Sequence, residues 1–136
     1  MLIGKKSCIF IKLLINIFML NIRDFKDANR LLKILRQKFS TIDNFDNVKV
    51  KIILNEKNLK NWLFITEKNF WFIIDNGRKG KIYHVSKNEF NFNPEEIEEG
   101  FANLLIPSIS YPIMFDKTLT GSTSSFINYL NTNKNG

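Results

Sequence analysis

Cysteine and histidine are almost absent from this chain, and each scarcity removes a class of function. The one cysteine, Cys8, excludes an intramolecular disulfide framework and any multi-cysteine zinc site. It is compatible with a reducing compartment. The one histidine, His84, excludes every two-histidine metal centre and leaves only a dyad or triad built on that residue. Glycine (6) and proline (3) are few beside 13 phenylalanines, a balance that suits a packed interior with few tight corners. Arginine is scarce too. Four of the 20 basic residues are Arg and the rest are Lys, which weakens any case for bidentate phosphate or guanine recognition.

Further absences narrow the chemistry. Gly77-Arg78-Lys79-Gly80 lacks the strand-loop-helix context and the Lys-Ser/Thr ending of a phosphate-binding loop. No Glu-x-Lys falls on a strand, as a carboxylate-lysine nuclease would require; Glu56-Lys57 and Glu67-Lys68 are adjacent pairs in turns. Ser86 shares a strand face with His84 but stands about 7 Å along it, too far for direct activation of a nucleophile. Glu95-Glu96 and Glu98-Glu99 read as a solvated acidic face and not as a metal cluster. No catalytic constellation, cofactor site or metal site is expected.

What remains is the composition of one globular domain. A chain of 136 residues with 44% hydrophobic and 24% charged side chains can bury roughly two thirds of its unfolded surface in a single core. The net charge is +7 and is unevenly laid out. Residues 24–87 carry 14 Lys/Arg against 7 Asp/Glu, residues 88–136 carry 2 against 6, and the first 23 residues add +4. Abundant Lys, Asn, Ile and Phe also fit a base-composition bias toward A/T-rich codons, so the charge alone does not identify a partner.

The chain is organised around Asn61–Asp75, Asn-Trp-Leu-Phe-Ile-Thr-Glu-Lys-Asn-Phe-Trp-Phe-Ile-Ile-Asp. Two β-branched and aromatic runs flank Glu67-Lys68-Asn69, the signature of a β-hairpin. Both arms are apolar on both parities, as in central strands covered on two faces. The two tryptophans therefore read as core and not as a base-stacking platform. Ahead of the hairpin, Phe25, Ala28, Leu31, Leu32, Leu35 and Phe39 form one stripe of a helix over Asp24–Phe39. Val48–Leu54 alternates as a half-buried strand. After the hairpin, Asp75-Asn-Gly77 is a turn, Lys81–Ser86 a strand, and Glu89–Phe92 a candidate for another.

Asn93-Pro94-Glu95-Glu96 reads as the start of a helix carrying Ile97, Phe101, Leu104 and Leu105 on one face up to Pro107. Ser108–Thr120 reads as irregular and Thr123–Leu130 as a last short helix. The predicted fold is α+β: an N-terminal helix, an antiparallel meander of four to five strands, and two C-terminal helices packed on the sheet. Residues 23–131 form the domain and 132–136 a frayed tail.

Leu63-Phe-Ile-Thr-Glu-Lys-Asn-Phe-Trp-Phe-Ile resembles the strand-Thr-acid-base-turn-strand phrase common in bacterial pleckstrin-homology-like domains. The resemblance covers about a dozen residues and implies an antiparallel sandwich closed by a C-terminal helix. The leading helix and the low strand count depart from that pattern, and no binding residue is carried over from it.

Three functional readings stand. The first is a non-enzymatic, cytoplasmic interaction or accessory module with a protein partner. The second is binding of nucleic acid or an anionic surface through Lys26, Arg30 and Lys33 on the helix and Arg78, Lys79 and Lys81 at the hairpin tip. The third is a membrane-tethered domain that uses residues 1–22. That segment is apolar almost without period, but Lys12 splits it, and it is equally readable as an upstream extension ahead of a start at Met19 or as an apolar element docked on the fold. Cell fractionation of the full chain beside a chain beginning at Met19 tests the tether. A tether places the full chain with the membranes and the shorter one in the supernatant; both in the supernatant removes it.

Overall fold

A computed structural model describes residues 27–57, 60–75 and 80–135. Lys26, Arg78, Lys79 and the apolar segment 1–22 lie outside the described residues. The first described element is helix α1, Ala28–Phe39, capped by Asp27, whose Oδ1 accepts the Asn29 N–H at 2.9 Å. Leu31, Leu32, Leu35 and Phe39 are its buried stripe, as the spacing predicts. The helix ends where Ile42 N–H and Asp43 N–H both turn back to the Phe39 carbonyl.

Strands β1 (Val50–Asn55), β2 (Asn61–Ile65), β3 (Asn69–Asp75) and β4 (Gly80–Ser86) form an antiparallel sheet in chain order. The β2–β3 hairpin is its centre, with Leu63 opposite Phe72 and Phe64 opposite Trp71. Every residue of β3 is buried. Alternation along the strand divides those side chains between two cores. Phe64, Trp71 and Ile73 pack with the α1 stripe and Phe45, while Leu63, Ile65, Phe70, Phe72 and Ile74 point the other way, into the larger core. Each such apolar side chain contributes about 1.5–3 kcal/mol on burial.

The second half departs from the sequence reading in its elements. The segment expected as a helix from Asn93 is a β-hairpin, β5 (Asn93–Glu98) and β6 (Phe101–Leu105), joined through Glu99-Gly100. The stretch expected to be irregular contains β7 (Ile113–Asp116), which pairs with β6 to complete a three-stranded antiparallel sheet. Glu89–Phe92 is no strand; a 3₁₀ turn at Lys87–Glu89 leads into a loop. Helix propensity and a good N-terminal signature at Asn93-Pro94 were overridden by tertiary packing. Ala102, Leu104 and Ile106 recur at period two and fill the larger core, and Gly100 sits at φ +89°, a turn conformation and not a helical one. Ile97, expected inward, is 41% exposed.

Two helices end the described chain. Short α2, Lys117–Thr120, is capped by Asp116, and α3, Thr123–Asn135, continues five residues beyond the expected end at Leu130. Phe126 and Leu130 of α3 close the core formed by Phe72, Phe90, Leu104 and Phe115. The α+β class therefore holds, with an N-terminal helix, antiparallel strands and two C-terminal helices. Among the described residues seven strands in two sheets replace the expected four to five. Helix α1 packs on one face of the larger sheet, and the smaller sheet and α3 share the larger core on its other face.

Gly100 separates the two readings of residues 93–105 by sign. A Cβ there meets nothing within 4 Å, so only backbone conformation is at stake. Gly100→Ala is expected to destabilise the protein by about 1 kcal/mol in urea unfolding. The same change inside a helix would stabilise by about 1 kcal/mol.

Candidate functional site

Asp43, in the loop between α1 and β1, is a buried polar centre on the helix side of the larger sheet. Its backbone N–H is held by Phe39 O at 3.1 Å, and the loop is fastened further by Arg36, whose guanidinium donates to Phe45 O at 3.2 Å. Asp43 Oδ2 accepts hydrogen bonds from Thr66 Oγ1, from Asn69 Nδ2 at 2.9 Å and from Trp71 Nε1 at 2.8 Å. Oδ1 accepts the Asn44 N–H at 2.8 Å. Thr66 and Asn69 bracket the β2–β3 turn and bond to each other through both backbone groups. Phe39 and Phe45 meet Trp71 edge-on, each at 5.0 Å, and His84 stacks on its ring at 4.7 Å.

Burial pushes the Asp43 carboxyl pKa up, but the donors from Thr66, Asn69, Trp71 and Asn44 outweigh it and hold the group below its ordinary value. Asp43 is thus an ionised acceptor whose oxygens are committed, a structural anchor in place of a general base. Above it lies an open depression of about 500 Å³ rimmed by Arg36, Thr41, Asn44 and Lys68. The one sequence signal for this centre was Trp71 itself: an indole N–H in the middle of an apolar strand requires a partner from elsewhere in the chain.

Of the basic residues singled out from the sequence, the three described ones, Arg30, Lys33 and Lys81, do not share a surface. Arg30 and Lys33 are exposed on α1. Lys81 lies opposite Ile74 on β4, and its parity is that of Tyr83 and Val85, which face the larger core, whereas Ile82 faces α1. The four-stranded sheet therefore separates Lys81 from Arg30 and Lys33. Lys81 Nζ sits 4.7 Å from the Tyr111 ring centroid and 3.4 Å from its hydroxyl. Tyr111, 41% exposed, borders a depression of about 320 Å³ between the sheets, with Asn61, Asp75, Asn103 and Met114 on its other sides.

Of the four edge strands, β1, β4, β5 and β7, two differ sharply in kind, β5 and β4. β5 exposes all six residues, carries Pro94, Glu95, Glu96 and Glu98, and shifts register between Glu96 and Glu98. Proline, like charges and a bulge are devices that discourage further strand pairing. β4 has none of them: its seven residues pair with β3 without a register shift and include one ordinarily charged side chain, Lys81. Among the described residues no strand pairs with its outer edge, where backbone donors and acceptors are therefore available.

Among the described residues no three His, Cys, Asp or Glu side chains group as a metal site, and no helix is long and apolar enough to cross a membrane. His84 is exposed, with its ring against Trp71. Comparison of the chain with protein-family models, curated proteins and solved structures finds no match to any of them.

The Asp43 anchor has a pH signature. Because its folded pKa lies below the ordinary 3.8, its contribution is present above that value and is lost as pH falls through the folded pKa. Asp43→Asn is expected to unfold about 2 kcal/mol more easily at pH 7. It should also show a shallower loss of stability below pH 4 than the parent chain, read by Trp fluorescence during denaturant titrations.

Proposed function

We propose that the protein is a non-enzymatic interaction module that takes an extended segment of a protein partner along the free edge of β4. The observation that carries this is the contrast between the edges: β5 is blunted by Pro94, a bulge and glutamates, and β4 is left flat and almost uncharged. Backbone hydrogen bonds would supply affinity, and alternate side chains of the added strand would supply specificity. The Tyr111–Lys81 depression lies at one end of β4, and the Trp71–His84 stack lies nearer the other.

A second reading, an anionic surface or nucleic acid, is favoured by one feature of α1. From Ala28 to Phe39 the helix carries Arg30, Lys33, Arg36 and Lys38 and no acidic residue. Binding of that kind falls steeply with salt, and Arg30→Gln with Lys33→Gln weakens it, whereas strand addition is nearly indifferent to both.

The strand-addition reading predicts that a purified partner slows amide exchange of residues 80–86. His84→Lys, a change that charges the edge, is expected to weaken binding about tenfold or more in a variant that still unfolds cooperatively. Unaltered exchange in β4 on binding, or substrate turnover by the pure protein that His84→Ala abolishes, overturns it.

A further inference from the structure

The outer edge of β4 carries one ordinarily charged side chain, and its position bears on what can be added there. Along the strand, Lys81, Tyr83 and Val85 share the parity of the larger core, and Ile82 and His84 that of α1. Asn61, Ile74 and Lys81 stand in one register row across β2, β3 and β4. The row ends at Lys81. A further strand would put a side chain directly beside it, with Cβ atoms about 4.5–5.5 Å apart.

Lys81 is held in place but not neutralised. Its Nζ lies 4.7 Å from the Tyr111 ring centroid and donates to the Tyr111 hydroxyl at 3.4 Å. A ring face and a hydroxyl orient an ammonium and leave its charge standing. Among the described residues the carboxylates of Asp46, Asp116 and Glu96 pair with Arg36, Lys57 and Lys117, and none pairs with Lys81. Further along the same face the chemistry changes. Tyr83 is half-buried against the larger core, and Val85 is 6% exposed. A strand laid on this edge meets a cation at one end and apolar surface over the rest.

We infer that the segment taken by β4 is acidic where it lies beside Lys81 and apolar at alternate positions beyond, beside Tyr83 and Val85. The inference rests on strand addition at β4 and names the chemistry of the partner. Opposite charges in cross-strand neighbours are favourable and like charges are not. Tyr111 already restrains the Lys81 side chain, so less rotamer freedom is lost when a carboxylate arrives. A second copy of this chain is the poorer occupant. Antiparallel pairing of two β4 strands centred on Tyr83 sets Lys81 opposite Val85, and Gly80–Ser86 contains no carboxylate to answer either lysine. Charge at longer range agrees: the 14 Lys/Arg against 7 Asp/Glu of residues 24–87 attract an acidic segment and repel a basic one.

The test selects displayed random peptides of about 12 residues, long enough to cover β4, on the immobilised full chain. Enriched peptides are expected to carry Asp or Glu with Val, Ile, Tyr or Phe at steps of two from it. A synthesised winner is expected to slow amide exchange of residues 80–86. Changing its acid to Lys is expected to weaken binding to the parent chain about tenfold, and Lys81→Glu to restore the Lys peptide and weaken the acidic one. If Lys81→Glu does not fold, Lys81→Gln is expected to remove the preference between the two peptides. Peptides that protect residues 80–86 but carry no acid, or whose preference for acid over Lys survives the change at Lys81, overturn the inference and leave strand addition standing. No enrichment, or binding that leaves exchange of residues 80–86 unaltered, overturns strand addition and the inference with it. Self-association that protects residues 80–86 without peptide gives the edge to a second copy and also overturns the inference.

Discussion

The indole N–H of Trp71 donating to the Asp43 carboxylate adds a directional bond to two layers whose broad contact is apolar packing. Trp71 sits at the middle of a strand with every residue buried, where an unpaired N–H would be a standing cost. The acceptor comes from 28 positions earlier in the chain, in the loop that leaves α1. Thr66 and Asn69 add the turn of the hairpin to the same oxygen, so one atom fixes the helix exit, the strand centre and the hairpin end together. The apolar stripe of α1 would accept several angles on a flat aromatic sheet face. A buried, fully bonded carboxylate specifies one.

The sequence was most readable where one pattern dominated. The hairpin Asn61–Asp75 announced itself through two apolar parities, and its burial on both faces follows from them. The α1 stripe was equally plain. Residues 93–105 were not, because local and long-range preferences conflict there. Asn93-Pro94 with four glutamates is a good helix start, and Ile97, Phe101, Leu104 and Leu105 fit a helical face. Ala102, Leu104 and Ile106 fit a strand as well, and only a neighbouring β7, read as irregular, decides between them. Four residues, Ile113–Asp116, are too short a run to declare a strand without their partner.

The site residues were hidden for a different reason. Charge counting along the chain is blind to which side of a sheet a residue faces, so Lys81 grouped with Arg30 and Lys33 on paper while the sheet parts them in space. Asp43 and Lys87 looked like ordinary polar residues in polar surroundings. Their importance comes from burial: one is an anion with all its acceptor capacity used, the other a cation with no acceptor. The two lie near one another at the hairpin end, where they give the protein a rigid anchor beside an unsatisfied charge. The edge strands add a second asymmetry, with β5 acidic and bulged and β4 nearly neutral and regular.

The account rests on the Asp43–Trp71 bond being a true coupling between layers. A double-mutant cycle with Asp43→Ala and Trp71→Phe, read by denaturant unfolding at pH 7, measures it most directly. The two changes are predicted to be non-additive by about 1–3 kcal/mol, the double variant being less damaged than the sum of the singles. Additivity within about 0.5 kcal/mol would contradict the account and leave α1 held to the sheet by packing alone.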